Sequence, residues 1–89
     1  MTSSNANIDK IRRFILDKIA LGRGVTALAD EESLVERGVI DSLGIFQLVS
    51  FLEETFGVHI GDEEILLENF STIIDIDYFV RAKLGAAQD

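Results

Sequence analysis

Asp41 and Ser42 stand side by side in the run Gly38-Val39-Ile40-Asp41-Ser42-Leu43-Gly44, where an apolar-periodic stretch begins. A serine at the mouth of a helix offers its hydroxyl where unpaired N–H groups and the positive end of the helix dipole favour a phosphate. Asp41 beside it supplies a carboxylate able to accept a bond from a helix N–H or to bind a divalent cation. The same pair also makes an ordinary helix cap, and on these two residues alone capping is the simpler assignment. A hydrolytic role for Ser42 would need a base. The one histidine, His59, is distant in sequence, and the glycine pattern of a nucleophile elbow is missing. His59 therefore reads as a surface or half-buried loop residue. With no cysteine there is no disulfide, no thiolate metal site and no Cys nucleophile. The acidic runs Glu53-Glu54 and Asp62-Glu63-Glu64 lack the alternating spacing and central glycine of a calcium loop, and read as solvated charge. No catalytic residue and no metal site are expected.

Helices must position these residues. Ile8, Ile11, Ile15 and Ile19 recur at helical spacing with Phe14 alongside, which predicts a first amphipathic helix. Asn7 can cap it, Asp9 complements its dipole and Gly22 can end it. Residues 23–38 form a long connection with apolar anchors at Val25, Leu28, Leu34 and Val35, and with Asp30 or Ser33 able to start a short turn. A second helix is predicted from about Ser42 to Phe56, with Ile45, Leu48, Val49, Leu52 and Phe56 on one arc. Leu43, Phe46 and Phe51 fall outside that arc, among Gln47, Ser50, Glu53 and Glu54. Phe51 is expected to pack on the last helix, whereas Phe46 stays open between packing and partner contact. Gly57 stops this helix, Val58-His59-Ile60 reads as extended loop, and Glu68-Asn69-Phe70 as a single helical turn. Ser71 or Thr72 caps a last helix carrying Ile73, Ile76, Phe79, Val80 and Leu84, with Arg81 and Lys83 near its negative end. The fold class is all-α: a small bundle of three main helices plus one short helix, with a long loop between the first and second helices. Residues 8–84 form one domain, between a disordered N-terminal tail at 1–7 and a C-terminal tail at 85–89.

The stretch Gly38-Val39-Ile40-Asp41-Ser42-Leu43 resembles the phosphopantetheine attachment motif of acyl and peptidyl carrier proteins. The resemblance continues through Leu48-Val49, Leu52-Glu53-Glu54, Phe56-Gly57-Val58, Ile60 with Asp62-Glu63-Glu64, and Asn69-Phe70, and so spans residues 8–84. It implies that a phosphopantetheinyl transferase attaches phosphopantetheine to the Ser42 hydroxyl, with Asp41 and Leu43 as the flanking cofactor-site residues. The arm's thiol then carries an acyl or aminoacyl group as a thioester, which accords with a chain that has no thiol of its own. The protein would be a stand-alone carrier without catalysis. The resemblance also implies a partner face on the helix after the serine, made of Leu43, Phe46, Gln47, Ser50, Glu53 and Glu54. Gly44 and Gln47 stand where typical fatty-acid carriers have acidic residues, Phe46 is bulkier than their usual valine, and Gly61 replaces a frequent proline. These departures point to a specialised carrier loaded by an acyl-activating or adenylating ligase, as in D-alanyl and peptidyl carriers, and served by downstream acyl-processing enzymes.

Composition sets the outer bounds. The 89 residues carry a net charge of −8, which disfavours nucleic acid and anionic membranes and favours partners rich in Lys and Arg. No apolar run reaches the length of a membrane span, and the N-terminus lacks the features of a secretory signal. A cytoplasmic monomer is expected. The competing reading is a carrier-like acidic interaction module whose Ser42 is never modified.

Overall fold

The computed structural model describes residues 2–20, 22 and 24–88, with side chains from 6 to 85 apart from residues 21 and 23. Three helices dominate: α1 (Thr2–Phe14), α2 (Ser42–Phe56) and α3 (Ile73–Gln88). Two single 3₁₀ turns follow α2: Leu67–Asn69, one residue from the expected turn at Glu68-Asn69-Phe70, and Asp62–Glu64, a second turn in the acidic run. α1 packs mainly on α3, and α2 meets α3 as well.

α1 takes in residues 2–7, which were expected as a tail, so Asn7 lies inside the helix and does not cap it. No proline or glycine interrupts that stretch, and extending an existing helix adds one hydrogen bond for each residue fixed. α3 likewise runs on to Gln88 through the expected C-terminal tail, since one glycine inside a helix costs only about 1 kcal/mol. Beyond Phe14, α1 widens into a π turn, Ile15–Ile19, closed by the Ala20 N–H donating to the Ile15 carbonyl at 2.7 Å. The isoleucine spacing accounts for its use. Four residues of α-helix overshoot a full turn by about 40°, so Ile11, Ile15 and Ile19 would drift off one line. The wider turn undershoots and brings Ile19 back, and all three are buried.

The long connection is pinned at the start of α3. Leu28 and Leu34 are buried, the Leu34 N–H donates to the Ser71 carbonyl at 2.8 Å, and the Ile74 N–H donates to the Asp30 carbonyl at 3.1 Å. Arg12 reaches over from α1, donating to the Leu28 carbonyl at 2.9 Å and pairing with Asp30. Val35 is not an anchor. The tight turn that closes with the Gly38 N–H on the Val35 carbonyl, at 2.9 Å, leaves its side chain exposed. Thr72, the second of the two expected caps, accepts the Asp75 N–H at 3.0 Å.

The core joins Ile11 and Ile15 from α1, Leu48 and Leu52 from α2, and Phe70, Ile73, Ile76 and Val80 at α3. Asp77 is buried among these helices. Its Oδ2 meets Arg81 Nε at 3.1 Å, while Oδ1 has no hydrogen-bond partner among the described residues. Burial pushes its carboxyl above the ordinary range, against the downward pull of Arg81.

Two stability measurements follow from this core. Leu52→Ala should cost about 2–5 kcal/mol in urea unfolding, against less than about 0.5 for Gln47→Ala on the exposed side of α2. Comparable losses would contradict the packing. For Asp77, the raised carboxyl means that the native state keeps a proton the unfolded chain has released. Its contribution therefore favours folding at acid pH and falls away as pH rises through the window above the ordinary carboxylate value. Asp77→Asn should remove that slope and gain stability over wild type at about pH 7 but not at about pH 4. A constant difference between the two chains would show that Asp77 does not titrate in this way.

Candidate functional site

Asp41 is the N-cap of α2, in extended conformation, and its Oδ1 accepts the Gly44 N–H at 2.7 Å. Ser42 is thereby the first helical residue. It is exposed, and its hydroxyl makes no hydrogen bond to a described residue. The helix ends at Gly57, which adopts φ +68 and donates its N–H to the Glu53 carbonyl at 3.0 Å, so both sequence-derived ends hold. Val39 and Ile40, buried just before the cap, donate to the Leu34 carbonyl at 2.9 and 3.3 Å and fix the approach of the chain.

Gly44, which like Gln47 stands where fatty-acid carriers have an acidic residue, does not share the exposure of Gln47. It is instead buried: a Cβ there would lie 3.1 Å from Ile19 Cγ2 and 3.1 Å from Asp41 Oδ1. The return of Ile19 by the π turn uses the space a side chain would occupy. Gly61 has its own local reason, which no periodicity could reveal. Its N–H donates to Glu64 Oε1 at 3.0 Å, a bond that proline would forfeit, and the same carboxylate accepts Lys83 Nζ at 2.7 Å. These two contacts, Lys83 first, hold the Glu64 carboxyl below its ordinary range.

The six residues expected on the partner face divide into separate surroundings. Leu43 is 69% exposed and Phe46 57% exposed. Ser42 and Phe46 line an open groove of about 410 Å³ with Val35, Ile40, Asp41, Ile45, Ile65 and Leu67. Phe46 is thus a surface residue, which settles its sequence-level ambiguity against core packing. Gln47, Ser50 and Glu54 border a different depression, shared with Phe14, Lys18 and Phe51. Glu53 lies apart from both, since its Oε2 accepts the Ile60 N–H at 2.9 Å and approaches the exposed His59 at 3.7 Å. Phe51 packs against α1, not the last helix: its ring stacks on Phe14 at 4.2 Å between centroids. Sequence spacing placed Phe14 and Phe51 on their helices but carried no information about their pairing. Among the described residues, no three His, Asp or Glu side chains converge as a metal site would require.

Comparisons with known proteins agree with this geometry. The family described as "Phosphopantetheine attachment site" matches residues 13–76. An acyl carrier protein of Thermotoga maritima is 33% identical over 85 residues, covering 96% of this chain and all of its own length. One from Thermosynechococcus vestitus is 32% identical over 79 residues, covering 89% of this chain and 93% of its own. A crystal structure of an acyl carrier protein from Thermotoga maritima superposes with a TM-score of 0.73 and 27% identity, over 97% of this chain and 95% of that one.

The Gly44 packing is open to direct test. Gly44→Asp should destabilise by about 1–3 kcal/mol through crowding of Ile19. Part of that loss should come from repulsion between the new carboxylate and Asp41. Gly44→Ala serves as the uncharged control. Urea unfolding that finds Gly44→Asp as stable as wild type at neutral pH would show that the site has room.

Proposed function

The chain belongs to the family of acyl carrier proteins with a phosphopantetheine attachment site, and from that premise we propose that Ser42 is its attachment residue, in a specialised pathway outside primary fatty-acid synthesis. A member of this family is a carrier and not a catalyst, and its prosthetic group is phosphopantetheine, held covalently. When attached, that group supplies a flexible arm whose terminal thiol holds cargo as a thioester. The observation that carries the Ser42 assignment is an exposed hydroxyl, without a hydrogen-bond partner among the described residues, on the first residue of a capped helix.

The chain's own residues do the presenting. Asp41 ties the first turn through the Gly44 N–H and leaves Ser42 uncovered. A phosphate on Ser42 would sit at the positive end of α2, where the first N–H groups and the dipole favour negative charge. The groove beside it offers apolar walls in Val35, Ile45, Ile65 and Leu67. Leu43 and Phe46, both exposed, are the apolar contacts for a partner enzyme, with Gln47, Ser50 and Glu54 further along the helix and Glu53 at its edge.

The specialised role rests on what this face lacks. Gln47 is neutral, a carboxylate side chain at Gly44 would crowd Ile19 and Asp41, and Phe46 adds bulk beside the serine. Partners that read an acidic face next to the serine would lose association rate and fit here. An adenylating ligase is the favoured loading enzyme, preceded by a phosphopantetheinyl transferase and followed by acyl- or aminoacyl-processing enzymes. The setting we favour is a cytoplasmic monomer. No helix among the described residues is long and apolar enough to cross a membrane.

Incubation with coenzyme A, magnesium and a broad-specificity phosphopantetheinyl transferase should add one arm by intact mass, and Ser42→Ala should take none. Wild-type protein that stays unmodified with several such transferases would favour the unmodified interaction module. Once modified, the protein should be loaded well by an adenylating ligase and poorly by malonyl transferase and condensing enzymes, with Gln47→Glu partly restoring the latter. Chain elongation at the rate of an authentic fatty-acid carrier would defeat the specialised reading while leaving the Ser42 assignment intact.

A further inference from the structure

Between α1 and α2 lies an open groove of about 350 Å³ whose floor includes the Phe14–Phe51 stack. The rings are nearly parallel, at 11°, and both are only half-buried. Lys10, Arg13 and Lys18 stand on its α1 side, all exposed, and none of the three side chains has an ion-pair or hydrogen-bond partner among the described residues. Of the two carboxylates that line it, Asp9 is taken by Arg12 at 3.0 Å, which leaves Asp17 against three cations, with Glu54 beside Lys18 in the adjoining depression. Residues 9–18 thus carry a net charge of +2 within a chain of net −8.

An aromatic floor half open to water gains by being covered with apolar surface. Flexible basic side chains around it, free of internal partners, suit carboxylates brought in beside that apolar group. We propose that this groove docks a protein segment presenting an aliphatic or aromatic side chain flanked by Asp or Glu. Such a partner is opposite in sign to the Lys/Arg-rich surfaces that the rest of the chain attracts. An anionic membrane would meet the repulsion of the whole −8 charge, and so would a second copy of this chain. A short acidic segment meets mainly the local field of α1, because charges further off than about 10 Å are screened at ordinary salt.

The test is an NMR titration of ¹⁵N-labelled protein with a blocked synthetic peptide, Gly-Asp-Glu-Phe-Glu-Asp-Gly, and with its counterpart carrying lysine for each acid. The acidic peptide should shift amides within residues 9–18 and 51–55, and the lysine peptide should shift none of them. Lys10→Glu, Arg13→Glu and Lys18→Glu together should weaken the acidic peptide at least about tenfold. Because those side chains are exposed and unpaired, the triple variant should keep the wild-type circular dichroism and still accept the arm at Ser42, which separates this test from that of the carrier function. Absence of shifts at millimolar peptide, equal shifts with the lysine peptide, or shifts centred on residues 42–46 would each overturn the proposal. So would co-sedimentation with phosphatidylglycerol vesicles, or a dimer in sedimentation, that the triple variant abolishes.

Discussion

Asp41 accepts the Gly44 N–H at 2.7 Å, and Ile19 closes over the same spot from α1, within 3.1 Å of where a Gly44 side chain would begin. The capping bond alone would be a local matter, worth on the order of 1 kcal/mol. Its wider importance comes from the glycine that donates it. Because position 44 has no side chain, the end of α1 can sit directly against the first turn of α2, and the serine is offered from a helix end that is both hydrogen-bonded and packed. The π turn is part of this arrangement, since it returns Ile19 to the line of Ile11 and Ile15.

Everything else around the serine is held at longer range. The connection from residue 24 to residue 41 has no regular helix of its own, yet Leu28 and Leu34 enter the core and its backbone is bonded to Ser71 and Ile74 at the start of α3. The opposite wall of the groove, with Ile65 and Leu67, hangs from Glu64, which is tied to Gly61 and Lys83. A small domain can rarely afford so much irregular chain unless buried side chains and backbone bonds fix it in this way.

How much of this the sequence disclosed depends on the range of each interaction. The bounds of α2 were legible because their causes are local: Asp41 as a capping residue, Gly57 as a left-handed stop, and Leu48 and Leu52 one turn apart. Thr72 and the core positions of α3 were legible for the same reason. Three features were not, because each depends on a residue far along the chain. The burial of Gly44 needs Ile19, the stacking of Phe51 needs Phe14, and the diversion of Glu53 needs the Ile60 N–H. The early start of α1 was missed for a different reason, since polar residues extend a helix without leaving any apolar period to detect. From sequence, Ser42 is proposed as the attachment residue through the family resemblance alone, because a serine beside a capping aspartate is otherwise an ordinary helix start.

The uneven charge also acts by exclusion. From a distance a basic enzyme surface is drawn to the whole molecule, with nothing to tell it which side to approach. At contact range the three unpaired cations of α1 repel it, and like charges brought together without neutralisation discriminate strongly against a mistaken pose. Lys10, Arg13 and Lys18 thus mark a side on which a basic partner cannot settle, whatever else binds there. A carrier with so small a surface gains selectivity from this without adding a single attractive contact at the serine.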